Sequence, residues 1–332
     1  MRLADIYPPL TEYLEAVEAE IARLCECDVA LVREGASRAT AGRGKRLRPA
    51  LVKLSADAFL GHKLPPSSVG DRVVGYGAVV EMIHTASLVH DDIVDEADLR
   101  RGLPSARSQW GDKISVLLGD FLLARGFHRM AEDPDPELQP IVAAASATMC
   151  AGAVRELVNA GPDLTEHEYL AIVRAKTASL FAACTELGAR VGGSDAGEAA
   201  AMREYGHAFG MAYQIADDVM DLAGDPAETG KPTGNDASQG KMTLALIEAL
   251  RRQLGEEADA VRAAIARGWS GPDDADRIRT FAERTGGVAY AWQSAARYLA
   301  DARDAIEDVP DSAASQALLA LCGDGFPLPV MA

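Results

Sequence analysis

The sequence predicts an all-α chain, and three observations carry that prediction. Ala, Leu, Glu and Arg, the better helix formers, are abundant. Apolar residues recur three and four positions apart, as at Ile114, Leu117, Leu118, Phe121 and Leu122. No segment keeps the alternation of a strand between turn signals. Hydrophobic residues make up 48% of the 332, enough to bury a sizeable core, while aromatics at 5% weigh against a β-sandwich or a base-stacking platform.

The periodicity places helices at 10–34, 48–61, 70–95, 113–132, 137–160 and 165–191 in the first part of the chain. It continues with helices at 195–223, 240–254, 256–268, 275–286, 288–308 and 312–322. Breakers separate them: Pro65-Pro66, Gly102 with Pro104, Pro134 with Pro136, Gly161-Pro162, Gly192-Gly193 and the loop 224–240. None has the length and composition of a flexible linker, so one helical domain over 1–332 is expected. The loop 224–240 is long enough to suggest a functional role.

The formal charge is −17, from 33 basic and 50 acidic residues. A chain so acidic is repelled by nucleic acid unless its cations cluster locally. Cys25, Cys27, Cys150, Cys184 and Cys322 have neither zinc nor disulfide spacing and read as free thiols of a reducing cytosol. The N-terminus is acidic and lacks the apolar run of a signal peptide. The longest apolar stretch, Ile141 to Val154, is expected to be too short, and too rich in Ala, Ser and Thr, to be a transmembrane segment.

Three segments carry chemistry. In LVHDDIVDEADLRRG, Asp91 and Asp95 fall one helical turn apart, about 5.4 Å along the axis, with Asp92 beside them. In GMAYQIADDVMDLAGD, Asp217, Asp218 and Asp221 repeat that spacing at the end of a second apolar helix. Carboxylates at a helix C-terminus oppose the macrodipole. Met82, Ile83, Ala86, Leu88 and Val89 make the first helix apolar, so a merely solvated acidic end is a poor account of it, and cations are the simplest compensation. All-oxygen ligands suit Mg²⁺, which bridges readily to phosphate oxygens. The third segment, GRGKRLRP, gathers Arg43, Lys45, Arg46 and Arg48 around two glycines ahead of Pro49, which is expected to open the next helix. It lacks nucleotide P-loop spacing and reads either as an anion site or as a solvated basic loop. Arg100, Arg101, Lys176, Lys231 and Lys241 add cations that a pair of diphosphates would need.

With these segments assembled, the chain resembles the trans-polyprenyl diphosphate synthases, and the likeness to long-chain, octaprenyl-type members runs from about Gly42 to the C-terminal helix. It is carried by GRGKRLRP, HTASLVHDDIVDEADLRRG, SVLLGDF, KTASLF, YQIADDVMD and GKPTGNDASQGKMTL. The resemblance implies an isoprenoid-synthase-type helical bundle around a deep central cavity, usually homodimeric and cytoplasmic. It implies condensation of isopentenyl diphosphate with an allylic diphosphate through ionisation, attack and proton loss. Asp91, Asp95 and Asp217 would hold Mg²⁺, three ions per site, on the allylic diphosphate, supported by Asp92, Asp218 and Asp221. Arg100, Lys176 and Lys231 would contact that diphosphate. Lys45, Arg48, His84 and Arg101 would bind isopentenyl diphosphate. Thr177 and Gln214 would steady the developing cation, and Lys241 would help close the loop over the site.

Two features depart from or refine the pattern. The family stretch resembling MCAGAVRELVNA usually carries Glu where Ala153 stands and Gln near Glu156. In this family a bulky aromatic before the first acidic motif gives short products. Here Ala86 and Ser87 are small, so a long, octaprenyl-like product is expected. A shorter-chain synthase, a non-catalytic subunit of a heteromeric synthase and a terpene cyclase are the alternatives. The cyclase would need no Lys45, Arg48 and Arg101, and a non-catalytic subunit would be expected to have lost aspartates.

Overall fold

The computed structural model describes residues 3–40, 44–60, 69–100, 102–224, 239–268, 272–323 and 326. It is helical almost throughout, as the periodicity requires. In chain order the helices are α1 (Leu3–Ile6), α2 (Leu10–Leu24), α3 (Ala30–Thr40), α4 (Leu47–Asp57), α5 (Gly70–Val94), α6 (Ala106–Trp110), α7 (Asp112–Ala131), α8 (Gln139–Val158), α9 (Glu166–Val173), α10 (Ser179–Val191) and α11 (Ala196–Ala223). Then follow α12 (Leu244–Arg252), α13 (Glu256–Ala266), α14 (Pro272–Arg284), α15 (Gly287–Ala305) and α16 (Ala313–Leu321). Between α5 and α6 lies a two-residue antiparallel ladder, β1 (Leu99–Arg100) with β2 (Leu103–Pro104).

Two compact units emerge. One comprises Met1–Ala144, Ala183–Arg203 and Asp308–Leu319; the other comprises Ala145–Ala182, Glu204–Glu307 and Ala320–Ala332. In the first, α2 buries Leu10, Tyr13, Val17, Ile21 and Leu24, the single stripe its three-four spacing creates. That stripe packs on α5, where Gly77 leaves room for the Tyr13 hydroxyl; a Cβ there would stand 2.1 Å from it. The hydroxyl donates to the Val73 carbonyl at 3.2 Å. In the second unit, Met211, Ile215, Val219 and Leu222 of α11 join Leu246, Leu250, Phe281 and Ala291 in one core.

The expected helix 10–34 is two helices. Helix α2 ends at Leu24, and the chain restarts at Ala30, where Arg33 donates to the Cys27 carbonyl across the break at 3.0 Å. The helix expected at 165–191 is interrupted by a π turn at Arg174–Ala178. Helix α4 begins at Leu47 rather than Pro49, with Pro49 still in its first turn, where a missing N–H costs nothing. Helix α8 reaches 20 residues, because 139–140 and 155–158 extend the apolar stretch at both ends. By length and composition alone it passes as a span, a weak signal that core helices also give, and no clear membrane span results. It buries Val142, Ala145 and Met149 along one stripe.

All five cysteines are free thiols. Burial pushes the Cys25 and Cys322 thiols up to about 11 and Cys184 up to about 12, so these three are poor nucleophiles.

Candidate active site

The first acidic motif closes α5. Val73 to Val89 bury most of that helix, but a stripe through His84, Ser87, Leu88, Asp91 and Asp95 stays partly exposed at the spacing of one helical face. Asp95 is the C-cap, its N–H bonded to the Asp91 carbonyl at 2.8 Å. Asp92 points the other way and is 3% exposed. Arg100 meets it there, with Nε 2.8 Å and Nη2 2.5 Å from Oδ1. The ladder sets this up. Glu96 turns the chain with φ 50, Gly102 takes φ 75 in the hairpin, and Arg100 lies on the strand between them. Arg100, expected to contact a diphosphate, is thus first the counter-ion of a buried aspartate.

Ala86 is fully buried, while Ser87 is half-buried and donates to the His84 carbonyl at 2.8 Å. At about 100° per residue, Ala86 stands roughly 140° around the helix from Asp91 and Ser87 roughly 40°. Of the two product-length candidates, only Ser87 shares the partly open stripe.

The second motif closes α11 and repeats the division. Asp217 and Asp221 are half-buried; Asp218 is 7% exposed. Tyr169 donates to Asp218 Oδ2 at 2.5 Å, and Gln214 Nε2 donates to Oδ1 at 2.7 Å. Gln214 Oε1 in turn accepts from Thr177 at 2.8 Å. Thr177 and Lys176 sit on the π turn, which two glycines accommodate. A Cβ at Gly152 would lie 2.6 Å from the Lys176 nitrogen, and one at Gly210 would lie 2.7 Å from the Ala178 Cα. Close backbone approach from both neighbours holds the extra residue of the turn in place. Lys176 Nζ pairs with Glu156 Oε2 at 2.5 Å. These side chains, with Asp217, Lys241 and Thr243, line a cavity of about 160 Å³.

The basic loop is divided. Arg46, at φ 48, turns inward, binding Glu18 and the nearly buried Glu81 at 2.5 Å each and the Thr40 carbonyl. It braces the loop, while Lys45 and Arg48 on either side of it are half-buried. Arg43, Arg101 and Lys231 lie outside the described residues. Among the described residues, no three carboxylate, His or Cys side chains converge closely enough to cage a metal by themselves.

Sequence reasoning missed Tyr169, the Glu156–Lys176 pair and the Arg100–Asp92 clamp. The last left a signal. Asp92 falls three and seven positions after Val89 and Thr85, both buried, so helical phase turns it inward.

Residues 29–282 match the family model described as Polyprenyl synthetase. The chain belongs to that family. Among its polyprenyl synthetase relatives is an octaprenyl diphosphate synthase of Haemophilus influenzae, 34% identical over 93% of this chain and 92% of its own. A short chain isoprenyl diphosphate synthase of Methanothermobacter thermautotrophicus is 37% identical over 87% of each chain. The fold matches a crystal structure of a polyprenyl synthase from Caulobacter crescentus, complexed with calcium and isoprenyl diphosphate. The TM-score is 0.91 at 34% identity, covering 99% of this chain and 98% of that one. A decaprenyl diphosphate synthase from Rhodobacter capsulatus matches at TM-score 0.88 and 35% identity, covering 96% and 97%.

Proposed function

We propose that the protein is a Mg²⁺-dependent trans-prenyltransferase that condenses isopentenyl diphosphate with an allylic diphosphate into a long, octaprenyl-like polyprenyl diphosphate. One observation carries this reading. In both DDxxD motifs the middle aspartate is clamped by protein donors, while the outer two keep a partly open side.

The donor set fits Mg²⁺. Asp91 with Asp95, and Asp217 with Asp221, supply hard oxygens, and among the described residues no group of three ligands cages a metal, as suits an ion that completes its shell with water and substrate oxygens. When bound, Mg²⁺ supplies neutralisation of the diphosphate leaving group. Lys176, Arg100 and Lys231 add positive charge to the allylic diphosphate, and Lys241 joins the cavity wall. Lys45, Arg48, His84 and Arg101 hold isopentenyl diphosphate. Thr177 donates its hydroxyl hydrogen bond to Gln214 Oε1, so its oxygen lone pairs point elsewhere and can face an allylic cation. The proton lost after condensation goes to the released diphosphate, and no protein base is needed.

The protein acts as a homodimer. The outward face of α8 is apolar, with Val154 59%, Leu157 57% and Val158 77% exposed, an arrangement that supports burial against a second copy. A reducing, cytoplasmic setting agrees with the free thiols.

A shorter product is the second reading, favoured by the burial of Ala86 and by the short-chain relative. Incubation with Mg²⁺, labelled isopentenyl diphosphate and each allylic starter, followed by sizing of the products, separates the two. Mainly farnesyl or geranylgeranyl diphosphate would replace the long-chain reading, and no condensation with any starter would overturn the activity itself.

A further inference from the structure

Glu156 of α8 meets Lys176 of the π turn at 2.5 Å. The two side chains are 31% and 26% exposed, so solvent screens the pair only in part. Both line the cavity that holds Gln214, Asp217 and Asp218. The geometry is held by backbone. Gly152, one turn before Glu156 on the same face of α8, packs against the Lys176 nitrogen and the Ala175 Cβ, with room for no side chain of its own. Helix α8 therefore approaches the π turn backbone to backbone, which places the carboxylate within reach of the ammonium.

We propose that Glu156 is a release residue: a resident carboxylate that competes with diphosphate for Lys176 and speeds the departure of inorganic diphosphate after each condensation. The proposal rests on the reading of Lys176 as a diphosphate ligand. An ammonium has three N–H donors and can touch Glu156 and a phosphate oxygen together. What the carboxylate changes is the balance of charge. With Glu156 present, the pair is close to neutral, and an arriving diphosphate must share the lysine. When the diphosphate leaves, Glu156 takes up the lysine again, which lowers the cost of clearing the partly buried ammonium's anion. Binding that is equally tight before and after the chemical step does not raise turnover, and product release limits many enzymes. A chain-elongating enzyme must clear diphosphate at every addition, so a carboxylate that weakens its hold favours repeated turnover.

The test is the affinity of the whole protein for inorganic diphosphate with Mg²⁺, measured by calorimetry on wild type, E156Q, E156A and K176Q. E156Q keeps the size and the hydrogen-bond acceptor and removes only the charge. Its Kd should fall roughly fivefold, the order expected when one partly screened charge is removed beside an anion. E156A should move in the same direction, and K176Q should bind more weakly than wild type. In rapid-mixing assays E156Q should keep the first-turnover rate and lose steady-state rate, giving a larger burst. Unchanged or weaker diphosphate binding in E156Q, with K176Q weakened, would overturn the release role and leave Lys176 as a ligand. Unchanged binding in K176Q would instead remove the reading of Lys176 on which the proposal rests.

Discussion

The helix ends at Asp91–Asp95 and at Asp217–Asp221 carry the same carboxylates at the same spacing, but they hold the middle one by different means. Asp92 is paired with a guanidinium, Asp218 with a phenol and an amide. A cation cancels the charge of Asp92. At Asp218 the donors Tyr169 and Gln214 are both neutral, so these two bonds satisfy oxygens but bring no charge. The same sequence pattern thus meets two kinds of donor, and the difference lies in residues outside the pattern.

Three sets of variants break or sharpen that comparison. The largest effect should come from the outer aspartates, where the motifs ought to behave alike. Asp91→Ala and Asp217→Ala should each lower turnover by roughly 10²–10³-fold, the scale of losing metal and electrostatic stabilisation of a leaving group. Circular dichroism should be unchanged. Chelation by EDTA should likewise abolish activity, and added Mg²⁺ should restore it. Wild-type turnover in either variant at saturating Mg²⁺ would remove that motif from the reaction.

The middle aspartates should differ. Arg100→Ala leaves the buried Asp92 without its cation and should destabilise the fold by about 2–3 kcal/mol, below the full cost of an orphaned buried charge because Arg100 is itself 38% exposed. Tyr169→Phe removes one hydrogen bond from Asp218, which keeps Gln214, and should cost about 1–2 kcal/mol. Urea unfolding followed by far-UV dichroism measures both. An equal or reversed order would mean that the two clamps do not differ as charge and dipole.

The smallest single effect on stability belongs to Ser87, in the helix before the first motif. Ser87→Phe, on the partly open stripe, should change stability by less than about 0.5 kcal/mol and shift the product distribution to shorter chains. Ala86→Phe should cost about 1–3 kcal/mol through overpacking, because Ala86 is fully buried. Product sizing and thermal melting of the pair tell the positions apart. If Ala86→Phe alone shortens the product without destabilising, Ala86 borders an open path despite its burial.

What could be read from the sequence was what helical geometry fixes locally. The stacking of Asp91 on Asp95 follows from spacing alone. The inward turn of Asp92 was also there to be read, in phase with Val89 and Thr85. Arg46 was not, because its left-handed φ and its partners Glu18 and Glu81 come from other helices. The Tyr169–Asp218 bond joins residues 49 apart in sequence, and no local signal marks it. The break between α2 and α3 was missed because the apolar spacing continues through it. Helix α8 was legible to within two residues at each end, 137–160 against Gln139–Val158.

The π turn at Arg174–Ala178 has a consequence for insertions and deletions. It adds one residue to a turn and so offsets the angular phase of α9 from that of α10. Deleting one residue between 174 and 178 would let the helix become regular, a gain in hydrogen-bond geometry, but it would rotate one side against the other by about 100°. With Phe181 fixed in the core by Phe209 and Tyr213, the rotation would fall on Tyr169 and carry its hydroxyl away from Asp218. The irregular turn acts as a phase shifter. The chain forgoes a better helix so that an aromatic anchor and a carboxylate clamp, whose spacing does not fit a regular helical period, can each meet their own partner.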